Sequence, residues 1–170
     1  MLDLTQTRLK TLLDYDPEAG IFIFKISRGG KAKGTIAGTQ TFNGYRQIAI
    51  DGKLYYEHRL AWLYMHGVWP TDQLDHINND RSDNQLCNLR EASQSENNAN
   101  GLPRVGRIGL RGAYYIEERR KWTAQIVANR QTIFLGYYDT AEKAHEAYIN
   151  AAENIYGEFA YHNQPTQEAM

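Results

Sequence analysis

Apolar residues recur at helical spacing near the start of the chain, with Leu9, Leu12 and Leu13 on one side, and predict a short amphipathic helix over roughly Leu4 to Leu13. Asp16-Pro17-Glu18-Ala19-Gly20 breaks that pattern as a turn, because proline fixes φ and glycine accepts a positive one. Ile21 to Phe24 follows as a strand. Tyr45 to Ile50 and Lys53 to Tyr56 flank Asp51-Gly52, a pair suited to a type I′ turn, and predict a β-hairpin. His58 to His66 then carries Leu60, Ala61, Leu63 and Tyr64 as an apolar helix ended by Gly67, with Trp62 and Trp69 as core residues.

The middle of the chain is different in kind. Leu74 to Ile77 is a short apolar-edged stretch around Asp75 and His76, followed by the polar loop Asn78-Asn79-Asp80-Arg81-Ser82-Asp83-Asn84, whose side chains favour local hydrogen bonds over regular structure. Leu86, Leu89 and Ala92 pin that loop to a core, and Ser93-x-x-Glu96 reads as a capping box opening a short helix that carries Asn97. The expected order is strand, pinned loop, strand and helix. After a Gly-rich linker with Pro103, Arg104 and Arg107, three strands are expected at Gly112 to Ile116, Lys121 to Val127 and Gln131 to Gly136. A helix capped by Asp139-Thr140 and stopped by Gly157 closes the pattern, with small alanines at helical spacing to lie against the sheet.

Composition narrows the class. With 170 residues and 42% apolar content the chain can form one medium domain or two small ones, and two compact units are expected. One cysteine, Cys87, excludes an internal disulfide and any Cys-rich zinc site. No apolar run follows a basic start and none approaches membrane-spanning length, so a cytoplasmic protein without membrane contact is expected. The net charge of -1 hides an alternation: residues 1–53 carry 8 Lys/Arg against 5 Asp/Glu, residues 54–101 carry 3 against 7, residues 102–135 carry 7 against 2, and residues 136–170 carry 1 against 6. The first and third blocks would attract an anionic polymer, while carboxylates between them suit a cation.

Asp75, His76, Asn88 and Asn97 concentrate the chemistry. A carboxylate and a carboxamide oxygen are hard ligands for Mg²⁺ or Mn²⁺, and an imidazole titrating near neutrality can take a proton from water. On an ideal strand Asp75 and His76 would face opposite ways, so the pair must lie at a strand end or act from two sides of a phosphate.

These residues carry a family resemblance. Asp75-His76-Ile77, Asn88-Leu89-Arg90 and Ser95-Glu96-Asn97, preceded by His58-Arg59-Leu60-Ala61-Trp62, resemble the His-Asn-His (HNH) endonucleases, particularly the phage and intron-encoded homing type, over about Tyr45 to Asn100. The resemblance implies a ββα-metal unit that hydrolyses a phosphodiester of double-stranded DNA with one divalent cation, working as a monomer or weak dimer, in the host cell if phage-encoded. Asp75 and Asn97 would ligate the metal, His76 would be the general base, and Asn88 would orient that histidine or brace the loop. The third motif position is Asn97 where the family's name has histidine. Arg59 either binds phosphate or pairs with a neighbouring carboxylate.

The last part, about Gly109 to Asn163, resembles the APETALA/ethylene-response-factor DNA-binding domains through Arg111-Gly112, Lys121-Trp122-x-Ala124-x-Ile126, Phe134-Leu135-Gly136-x-Tyr138-Asp139-Thr140-Ala141-Glu142-x-Ala144 and Ala147-Tyr148. That likeness implies a three-stranded sheet placed in the major groove, with Arg111, Tyr114 and Trp122 at positions that touch DNA. Arg119, Arg120, Lys121 and Arg130 lie in turns suited to phosphate, and Arg104 and Arg107 could follow the backbone from the linker. For Trp122 a packing role is equally open.

The fold class expected is therefore α+β: residues 1–100 with a hairpin segment and a nuclease unit at about 73–100, a linker at 101–109, a three-stranded antiparallel sheet on one helix at 110–163, and a tail at 164–170. A non-catalytic DNA-binding regulator is the alternative from another class.

Overall fold

A computed structural model describes residues 4–27, 29–101 and 110–161. Arg104 and Arg107 lie outside the described residues. The chain divides into two compact units, Met1–Ala92 and Ser93–Met170, each a mixture of helices and small antiparallel sheets. Among the described residues no helix is long and apolar enough to cross a membrane.

The first unit opens with α1 (Gln6–Leu12), whose N-terminus is capped by the Thr5 hydroxyl. β1 (Leu13–Asp16) and β2 (Ile21–Phe24) form a hairpin around the Pro17–Gly20 turn. β1 was not expected. It is only four residues long and follows α1 directly, so its apolar residues read as one helical face. β3 (Thr39–Gln40), β4 (Arg46–Ile50) and β5 (Lys53–Tyr56) form a second sheet in that order. Its second turn has Asp51 at φ 51 and Gly52 at φ 80, the type I′ geometry predicted from the sequence.

α2 (Glu57–His66) stops at Gly67, whose backbone is left-handed and whose N–H donates to the Leu63 carbonyl. Leu9, Leu12, Leu13, Phe22, Ile48, Leu60 and Leu63 form the core. Trp69 packs against it half-buried, while Trp62, expected in the core, lies half-buried with its ring 4.2 Å from that of His66. The core face of α2 is carried by Leu60, Ala61 and Leu63, which turns Trp62 away from it. Arg59 lies over the Trp69 ring, 5.9 Å from its centre, in place of the carboxylate partner offered by the sequence.

β6 (Gln73–His76) and β7 (Leu89–Ala92) complete the first unit as an antiparallel pair, with a 3-10 turn at Leu86–Asn88 leading into β7.

The second unit begins with α3 (Gln94–Asn100), where the Ser93 hydroxyl accepts from the Glu96 N–H and the Glu96 carboxylate accepts from the Ser93 N–H. β8 (Ala113–Ile116), β9 (Lys121–Ala128) and β10 (Gln131–Tyr138) form an antiparallel sheet with β9 central. α4 (Ala141–Tyr156) lies against it through Ala144, Tyr148 and Ala152, and Ile126 of β9 joins that core. A side chain at Gly112 would collide with the Tyr148 ring, so the close approach of α4 depends on that glycine and its φ of 78°.

Candidate active site

The β6–β7 register sets the first two candidate residues. Asp75 stands opposite Arg90 and His76 opposite Leu89, so the two point to opposite faces of a regular ladder. His76 is the last residue of β6, and the chain turns immediately after it: the Asn79 N–H donates to the His76 carbonyl, with Asn79 at φ 62.

Asp75 is 4% exposed, and its Oδ2 accepts from Arg90 Nε at 3.0 Å and Nη2 at 2.9 Å. The Arg90 side chain is itself 13% exposed, which makes this a largely desolvated, charge-assisted pair. A carboxylate oxygen is a hard donor of the kind a divalent cation takes.

His76 is buried on the other face against two rings, His58 with centres 5.2 Å apart and Tyr45 with centres 5.9 Å apart. Its Nε2 lies 3.2 Å from Asn84 Oδ1. Burial holds the His76 pKa below the usual imidazole value, opposed by the Asn84 hydrogen bond and by Asp75, Asp80 and Asp83. That burial favours the neutral form of the ring, the form a general base uses.

The loop that follows is self-bonded. Asn88 Oδ1 accepts from the Asn78 N–H at 3.0 Å, and Asn88 Nδ2 donates to Asn78 Oδ1 and to the Asp83 carbonyl. Of the two roles open to Asn88 from sequence, these bonds match bracing the loop.

Behind His76 lies a buried network with no individual signal in the sequence. Glu57, the first residue of α2, is fully buried, and its Oε2 accepts from Arg46 Nε at 3.0 Å and from Asn84 Nδ2 at 3.4 Å. Arg46 also donates to the Ala37 carbonyl. Gly38, at φ 89, packs so closely on Glu57 Oε1 that any side chain there would take that oxygen's place. Burial raises the Glu57 pKa, opposed by its bonds to Arg46 and Asn84.

Burial, followed by the neighbouring His76 and Arg59, pushes the His58 pKa down to about 3 from 6.5. Below pH 6.5 the unfolded chain binds a proton that folded His58 refuses, so this contribution to stability is complete above that pH and drains away as pH falls toward 3. Unfolding by urea should show a loss of ~2 kcal/mol from this residue between pH 7 and pH 5. In His58→Gln that part of the slope should vanish; an unchanged slope would remove His58 from the account.

In the second unit Asn97 lies on α3, and Arg111 closes the C-terminus of that helix. Its guanidinium donates to the carbonyls of Asn98, Ala99 and Gly101 at 2.6 to 2.9 Å, groups that a helix end leaves without intrahelical partners. Arg119 stacks over Tyr137, and Arg120 and Arg130 occupy left-handed turn positions. Lys121 opens β9, not a turn, and pairs with Asp139. The register puts Trp122 on the same strand face as Ala124 and Ile126, half-buried with its ring 5.2 Å from that of Tyr115. Tyr114 and Tyr137 lie across Thr123 on the opposite face and are exposed.

Among the described residues no group of three or more His, Cys, Asp or Glu is placed to hold a metal. The donor pair expected from sequence, one carboxylate and one carboxamide, is of another kind.

Comparison with known proteins assigns a class to part of this chain. Residues 55–99 match the family model described as HNH endonuclease, a stretch that contains α2, the β6–β7 pair, its loop and most of α3. Within this stretch the chain is similar to HNH endonuclease domains. The chain is also 29% identical over 123 residues to an uncharacterized HNH endonuclease of Acanthamoeba polyphaga mimivirus, an alignment covering 72% of this chain and 64% of that protein.

Proposed function

We propose that this protein is a metal-dependent DNA endonuclease of the homing type, in which His76 is the general base and Asp75 and Asn97 hold one Mg²⁺ or Mn²⁺. The observation that carries this reading is a buried imidazole next in sequence to a buried carboxylate, inside the stretch similar to HNH endonucleases. Asp75 and Asn97 offer hard oxygen donors that fit such an ion. When bound, the cation supplies charge at the scissile phosphate and the leaving 3′ oxygen.

The chain's own residues do the rest. His76 takes a proton from the attacking water. Arg90 holds the Asp75 carboxylate in one orientation, and Asn88 braces the loop that leaves His76. Arg59, Arg104, Arg107, Arg119, Arg120, Lys121 and Arg130 are assigned to phosphate contacts, with Tyr114 on the outward face of a DNA-binding sheet. Arg111 and Trp122 are assigned to DNA contact from that sheet, with packing equally open to Trp122, whose ring lies 5.2 Å from that of Tyr115.

One nuclease unit cuts one strand per binding event, so supercoiled plasmid should become open circles in Mg²⁺. Hydrolysis with a 3′ oxygen leaving gives 5′-phosphate and 3′-hydroxyl ends, and DNA ligase should reseal the nicks. Nicks that ligase cannot seal would overturn this direction of attack, and intact plasmid at a bound site would leave the regulator reading in its place.

A further inference from the structure

Asn84 is 1% exposed and is fixed from three sides. Its backbone carbonyl accepts from the Tyr15 hydroxyl at 2.6 Å, which ties it to the core of the first unit. Its amide nitrogen donates to the Ser82 carbonyl at 3.3 Å and to Glu57 Oε2 at 3.4 Å. A backbone carbonyl can only accept, and Glu57 Oε2 already accepts from Arg46 Nε. The nitrogen end of the carboxamide is therefore fixed by its partners, and the oxygen end must face His76 Nε2 at 3.2 Å. An amide oxygen cannot donate, so the bond forms only if Nε2 carries the proton.

We infer that Asn84, oriented by Glu57 and the Ser82 carbonyl, is a positioning residue that holds His76 in the Nε2-protonated tautomer, with the lone pair on Nδ1. The catalytic consequence rests on the reading of His76 as the base, because it makes Nδ1 the nitrogen that takes the water proton; the tautomer itself does not. The Arg46–Glu57 pair sets the chain of bonds from behind. It gives the fully buried Glu57 a reason to be there, since Oε2 orients an amide whose other end orients the imidazole.

Long-range proton–nitrogen correlation spectra of the full chain at pH 7.5, assigned by comparison with His76→Ala, read the tautomer directly. The parent should show a protonated Nε2 and an unprotonated Nδ1. In Asn84→Leu the two nitrogens should shift toward a tautomeric average and nicking should slow ~10- to 100-fold with DNA affinity unchanged. Glu57→Gln, which keeps an acceptor oxygen toward Arg46 and Asn84, should keep the parent tautomer. A parent ring protonated on Nδ1, or a tautomer unmoved in folded Asn84→Leu, would overturn the inference. If Asn84→Leu does not fold, the parent spectrum and Glu57→Gln still decide it. A parent that fails to nick but shows the Nε2-protonated ring supports the positioning role and sinks the nuclease reading alone.

Discussion

His76→Ala is expected to lower the rate of plasmid nicking by about 10²- to 10⁴-fold, the range typical of a lost general base. The residue has two jobs, and both must be measured. Its ring fills space between His58 and Tyr45 and its Nε2 satisfies Asn84 Oδ1, so removing it leaves a buried acceptor unpaired at a cost of ~1–3 kcal/mol. Thermal unfolding of the variant should show that modest loss with a cooperative transition retained. DNA binding should persist, since the basic side chains assigned to phosphate lie elsewhere. A folded His76→Ala chain that nicks at the parent rate would take the base assignment away from this histidine.

Asp75→Ala should have the larger effect on stability. Asp75 is the buried partner of Arg90, and breaking such a pair from one side strands the guanidinium, at a cost of ~3–5 kcal/mol. Nicking should also be lost, but from this single change the loss has two explanations: a missing ligand oxygen or a damaged fold. The double change Asp75→Ala with Arg90→Leu separates them. Replacing both members removes the stranded charge, so denaturant unfolding should recover most of the stability while nicking stays absent. Recovery of nicking along with stability would show that Asp75 is a structural ion-pair partner and nothing more.

Much of the architecture was legible because it is written in local chemistry. Asp51-Gly52 specifies its turn, Gly67 its helix stop and Ser93-x-x-Glu96 its capping box, each within four residues. The C-terminal strands were expected at Gly112 to Ile116, Lys121 to Val127 and Gln131 to Gly136, and the helix from its alanine spacing. What stayed hidden depends on contacts between distant positions. Asn84 meets Glu57 across 27 residues and Glu57 meets Arg46 across 11, and no periodicity announces such a meeting. Gly38 gains its meaning only from Glu57 Oε1. Asp75 and Arg90 were both visible in the quoted motifs, yet their pairing required the β6–β7 register. The expected conflict between Asp75 and His76 was real, and the ladder keeps them on opposite faces with the chain turning just beyond His76.

Hydrolysis of DNA by this chain is proposed to run through Asp75 and His76. The most direct measurement is the single-turnover nicking rate of supercoiled plasmid, with protein in excess, for the parent in Mg²⁺, the parent in EDTA, and His76→Ala in Mg²⁺. Open circles forming in the first reaction and essentially absent from the other two is the predicted result. Equal rates in all three, or DNA binding with no nicking in the first, would contradict it.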